Sequence, residues 1–184
     1  MAGPCASVLF PSVFSPNQLE QLYAWLACES DELLPDGQFL IRAPEQRADG
    51  GAQTCICLDV QVLNPSGTET ERGYRDFSEF AQLRAALRWM PVTEITACAD
   101  SNREASHQTL AWLMARLAEQ FDGAIDLCGK LNVPPEFKEA AMISGELIEL
   151  PYDCGKPSPC LRHLATPKFL KWWRVHNGGR CMIK

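Results

Sequence analysis

The stretch that most constrains the fold runs from Pro91 to Gly129 and changes character three times. Pro91 opens a run to Cys98 that is rich in β-branched side chains, which suits a buried strand. Between Asn102 and Phe121, the residues His107, Leu110, Ala111, Met114, Leu117, Ala118 and Phe121 recur at spacings of three and four, so they share one face of a helix. Arg103, Glu104, Gln108, Arg116, Glu119 and Gln120 mark the outer face. Asp122 and Gly123 then stop the helix, because glycine accepts the left-handed backbone a helix end needs. Ala124 to Cys128 reads as the next strand.

The segments around this strand-helix-strand unit add short strands and capped helices. Ser7 to Phe10 is a first strand, and Ser15, Pro16 and Gln18 form a helix start in which serine caps, proline opens and glutamine reaches back. That helix is expected to reach about Cys28 with Leu19, Leu22, Tyr23 and Leu26 on one face. Pro35, Asp36 and Gly37 make a turn into a strand over Gln38 to Arg42, and Ala43 to Gln53 reads as a long hairpin loop. Thr54 to Leu63 alternates clearly, with Ile56, Leu58, Val60 and Val62 on one side, and predicts an antiparallel partner for Gln38 to Arg42. Asn64 to Gly73 is expected to be an exposed loop. A helix capped by Asp76 or Ser78 follows, to about Trp89, with Phe77, Phe80, Leu83 and Leu87 inward. Beyond Gly129 the pattern gives a short helix from Pro134 to about Met142 and strands over Glu146 to Tyr152 and Cys160 to Leu164. A last helix after Thr166 and Pro167 ends at Asn177, Gly178 and Gly179, and Arg180 to Lys184 reads as a terminal strand. Together these elements predict one α+β domain over residues 1–184, a mixed and largely antiparallel sheet packed with helices.

At 184 residues, 46% of them hydrophobic and 22% charged, the chain has the size and composition of one folded domain. The N-terminus lacks the basic start and apolar core of a secretory signal, and no segment approaches the ~18 apolar residues needed to span a bilayer. A soluble cytoplasmic protein is expected. Nine cysteines at scattered positions argue against a complete disulfide framework, so they are expected to be reduced, with Cys28, Cys98 and Cys128 as small core residues. Cys154, Cys160 and His163 are the one zinc candidate, without the paired cysteines that usually mark such a site.

Charge is unevenly distributed. Residues 1–60 hold eight acidic and two basic side chains, residues 61–150 fourteen and eight, and residues 151–184 one and seven. A net charge of −6 disfavours general nucleic-acid binding. In the basic tail, Phe169, Leu170, Trp172 and Trp173 are spaced to pack inward while the lysines point outward. Glu29, Asp31, Glu32, Asp36, Glu45, Asp49, Glu69 and Glu71 fall in expected loops and could steer and dock a basic protein partner; solvation of an ordinary surface is the plainer explanation.

Catalytic signatures are missing: there is no nucleophile elbow, phosphate-binding loop, zinc-protease helix or dinucleotide fingerprint. His107 lies on the inward side of the central helix and is expected to be a satisfied core histidine, while His163 and His176 are expected near helix boundaries, where a cation can satisfy carbonyls.

The runs Trp89–Pro91, Glu94–Ala99, Leu110–Phe121 with His107, and Gly123–Gly129, together with His163–His176 and Cys181–Lys184, resemble small bacterial toxin-immunity proteins over roughly residues 89–184. That resemblance implies a cytoplasmic, non-enzymatic protein without a cofactor. It would bind a cognate toxin domain, such as a type VI secreted effector, and block its active site, with no nucleic-acid or membrane partner. The alternative is a small enzyme or zinc protein using a cysteine or histidine site.

Overall fold

The computed structural model describes residues 3–68, 77–152 and 159–176. Its organising strand is β1 (Cys5–Phe10), which lies between β5 (Thr93–Ala99) and β6 (Ala124–Asp126) and is antiparallel to both. β5 and β6 therefore run parallel to each other, and the intervening helix α4 (Glu104–Phe121) crosses over β1 to join them. The expected strand-helix-strand unit is present, with the N-terminal strand inserted into its gap.

Five further strands extend the sheet to eight, in the order β2-β3-β4-β5-β1-β6-β8-β7. They are β2 (Glu32–Leu33), β3 (Phe39–Ile41), β4 (Thr54–Val62), β7 (Leu147–Tyr152) and β8 (Cys160–Ala165). Every pairing is antiparallel, and β3 pairs with β4 as the alternation of Thr54 to Leu63 predicts. β2, a two-residue edge strand, was not expected.

Helices α1 (Pro16–Glu29), α4 and α6 (Pro167–His176) cover one face. There Val8, Phe10, Ile56, Ile95, Ala97 and Ile125 meet Leu22, Leu26, Leu110, Met114, Leu117, Phe169 and Trp173. Full burial of each large side chain here stabilises the fold by about 1.5–3 kcal/mol. α4 is buried on more than its expected face, since Trp112 and Leu113 are also enclosed and α6 packs along it. The inward placement of Phe169, Leu170 and Trp173 agrees with their spacing. Asp122, rather than Gly123, takes the left-handed conformation (φ 56°) at the end of α4. Gly123 serves proximity instead: a Cβ there would lie 2.4 Å from Val8 Cγ1 and 2.6 Å from Phe10 Cε1.

Both proline-led helix starts hold. Ser15 and Gln18 exchange hydrogen bonds at the start of α1, and Phe169 N–H donates to Thr166 Oγ1 (3.2 Å) at the start of α6. On α1 the inward stripe includes Trp25, whose ring meets Phe121 edge-on at 6.2 Å, while Tyr23 is half exposed. Ala43 to Gln53 contains helix α2 (Pro44–Ala48) instead of an irregular loop, because Pro44 opens a turn that Gln46 Oε1 closes by accepting from Ala43 N–H (3.3 Å).

The opposite face of the sheet changes character along its width. Helix α3 (Phe77–Leu87) covers Leu9, Leu164 and Ile148 there through Leu83, whereas helix α5 (Pro135–Ile143) flanks β7 on the first face, its Ala141 in the core with Phe169. Glu69, Glu71, Asp76, Cys154 and Arg180 to Lys184 lie outside the described residues.

Candidate functional site

The acidic positions separate into two sets. Glu29 closes α1 and pairs with Arg116 (3.1 Å), and Asp31 pairs with Arg42 (2.9 Å) and Arg47 (3.4 Å). Glu45 sits in α2, where both of its carboxylate oxygens accept from the Arg174 guanidinium (2.6 and 2.9 Å). Burial alone would raise the Asp31 carboxyl, yet its arginines hold it below the ordinary value; the Arg174 bond holds Glu45 low as well. These pairs join α1 to α4, α2 to α6, and the segment before β2 to α2 and to the residue after β3, so three of the expected docking acids are internal fasteners.

Glu32 lies in β2, Asp36 in the turn before β3 and Asp49 at the end of α2. All three are exposed and have no cation within ion-pair distance among the described residues, where Asp36 accepts from Gln38. They belong to the end of the sheet where Arg47, two residues from Asp49, meets Asp31 at the start of β2. Leu33, beside Glu32 on the same edge strand, is 56% exposed. The sequence places all of these acids in expected loops; Glu29, Glu32 and Glu45 instead belong to regular elements, because α1 runs one residue past Cys28 and β2 and α2 form where loops were expected.

His163 is fully buried in β8, away from any helix boundary. Its Nδ1 accepts from Leu131 N–H (2.9 Å), leaving Nε2 to donate to Glu149 Oε2 (3.1 Å), which also receives Lys138. Burial pushes the imidazole down in spite of Glu149, and the bond from Lys138 holds Glu149 low. Both ring nitrogens are thus committed to the fold, and Cys160 is disulfide-bonded. The described residues contain no group of three or more side chains able to hold a metal. His107 is a satisfied core histidine, its Nε2 bonded to Asn102 Oδ1 (2.7 Å). His176 meets the Trp172 carbonyl (2.8 Å) in the last turn of α6 and stacks on its ring.

The sheet's second face carries polar groups that sequence reading did not single out. Arg162 bridges Asp126 (3.1 Å) and Glu79 (2.7 Å), and its guanidinium lies 4.5 Å from the Tyr152 ring. Asp126 also accepts from Cys128 N–H (2.9 Å), and Ser7 Oγ bonds to Thr96 Oγ1 (2.9 Å) and reaches Cys128 Sγ at 3.6 Å.

On that face the strand register places Cys57 opposite Cys98 and Cys98 opposite Cys5. Cys5 and Cys98 form a disulfide with Cα atoms 4.2 Å apart. The expectation that Cys98 is a reduced core residue is therefore corrected: it alternates with Ala97 and Ala99, which take the core side. Cys28 and Cys128 are exposed rather than core residues. Position parity around Cys55, Cys57 and Cys98 carries a signal, since each alternates with an apolar neighbour; the pairing of strands distant in sequence does not.

Two open grooves accompany these features. One of about 570 Å³ is lined by Pro65, Phe80, Arg84, Arg88 and Met90; another of about 360 Å³ runs between α5 and α6 past Phe137 and Trp172.

A family model described as a family of unknown function, DUF6368, matches residues 2–184. The chain belongs to that family. No curated protein and no solved structure matches it. The DUF6368 match runs through every described strand and helix, so the eight-stranded sheet and its helices lie within one family unit. No helix among the described residues is long and apolar enough to cross a membrane.

Proposed function

We propose that this DUF6368 chain is a binding protein of the immunity type, which neutralises a cognate secreted toxin by covering its active site. The observation that carries the reading is the set of uncompensated carboxylates at the β2 edge. Glu32, Asp36 and Asp49 are exposed and have no ion-pair partner among the described residues, while the neighbouring Glu29, Asp31 and Glu45 are neutralised within the chain. A negative field of this kind attracts a basic surface and orients it before contact. Leu33 supplies apolar area at the same edge, and β2 offers backbone for pairing with an incoming segment. A nuclease or other toxin with a cationic substrate groove fits this chemistry. On this reading the two proteins meet in the cytoplasm, one to one, with no cofactor.

Co-expression with the toxin encoded beside this protein is the test. Rescue of growth by the wild-type chain, weakened by the triple variant E32K/D36K/D49K, supports the reading. Unchanged killing in the presence of the wild-type chain refutes it. With purified partners, the triple variant is expected to slow association about tenfold at low salt, and the difference should shrink as salt screens the charges. E45Q, which removes an internal fastener, should leave association unchanged.

A further inference from the structure

The row of cysteines across β4, β5 and β1 has the geometry of a reaction path. Cys98 is central: Cys5 is bonded to it from one side and Cys57 faces it from the other. The hydrogen-bond alternation fixes the spacing. Asp100 N–H donates to the Cys55 carbonyl (3.0 Å), so Cys55 and Asp100 are a hydrogen-bonded pair and, two residues along each strand, so are Cys57 and Cys98. Such pairs hold their Cα atoms about 5.5 Å apart, within the span a disulfide bridges. Cys57 is exposed and free, and Cys5 and Cys98 are half-buried, so the three sulfurs lie on the sheet's accessible side.

We propose that Cys57, Cys98 and Cys5 form a thiol–disulfide exchange site, with Cys57 the attacking thiol. Cys57 loses its proton and its thiolate attacks Cys98 Sγ. The Cys57–Cys98 bond forms as the Cys98–Cys5 bond breaks, and the departing electron pair stays on Cys5 Sγ, which takes up a proton. Oxidation state is conserved, so no external oxidant or reductant is consumed. The exchange hands the clasp on β5 from β1 to β4 and frees a thiol on the N-terminal strand. Cys5 and Cys57 lie two strands apart, roughly 9–10 Å, too far for a direct bond. Cys98 is therefore an obligatory relay.

Peptide mapping under non-reducing conditions after incubation at pH 8 and acid quench tests the site on the full chain. Wild-type protein should yield both the Cys5–Cys98 and Cys57–Cys98 peptides, and C57S only the first. C5S oxidised with glutathione disulfide should yield Cys57–Cys98, whereas C98S should yield no crosslink between Cys5 and Cys57. Circular dichroism confirms that each variant is folded before mapping. Three results would each overturn the proposal: wild-type protein that holds only Cys5–Cys98, C5S that leaves Cys57 unlinked to Cys98, or C98S that joins Cys5 to Cys57.

Discussion

His163 couples folding to pH through a single buried ring. Its ordinary value is 6.5, and burial lowers it in the folded chain, so the unfolded chain binds a proton more readily. Above pH 6.5 both states are neutral and the stability is fully present; as pH falls from 6.5 towards the lowered folded value, stability is lost by up to about 1.4 kcal/mol per pH unit. Glu149, held low by Lys138, adds a second loss as pH falls below its ordinary 4.5. Urea denaturation between pH 5 and 7 should show the first slope in the wild type and lose most of it in H163Q. H163A should cost about 1–3 kcal/mol at pH 7, because Leu131 N–H is left without its buried acceptor. At this scale the sequence was only partly informative. A strand over Cys160 to Leu164 was legible, but both faces of β8 are covered, so alternation could not say that His163 faces the core.

Among elements, the helix ends were the most legible, because a cap is a local interaction. Removing one tests its worth: S15A is expected to lower stability by about 1 kcal/mol, read as a shift in the urea midpoint. The end of α4 was read correctly as a stop and incorrectly as to its reason. Gly123 is there because β1 passes beneath it, and G123A should cost about 1–3 kcal/mol by pushing Val8 and Phe10 apart. A thermal melt distinguishes this from the few tenths that an unobstructed glycine would show. Other misses also have causes. α2 carried the same proline-then-glutamine signal as α1 and was masked by the glycines after it. β2 has only two residues, too few for a period, and exists because β3 offers it an edge. Tyr23 was placed inward because it lies four residues from Leu19, yet the buried stripe leans towards Trp25 and Phe121.

For the whole molecule, strand order was out of reach of local patterns, and with it the polar face. Asp126 and Arg162 occupy ordinary alternating positions; only the β6–β8 pairing and the approach of α3 bring them to Glu79. R162A should therefore cost about 3–5 kcal/mol, because two buried carboxylates lose their shared cation. Equilibrium unfolding measures it, and a loss below 1 kcal/mol would show that other groups carry that charge. The proposed acidic docking surface was half legible: the carboxylates were visible, but which of them the chain neutralises depends on Arg116 and Arg174 arriving from α4 and α6. Strand order also bears on biosynthesis. β1 leaves the ribosome before either neighbour exists, and its apolar side must wait for residues near 95 and then 125 to be made. A nascent chain halted at Leu87 would expose that strand along both margins, so such fragments should bind chaperones or precipitate, while release of the finished polypeptide lets the sheet close around its oldest segment.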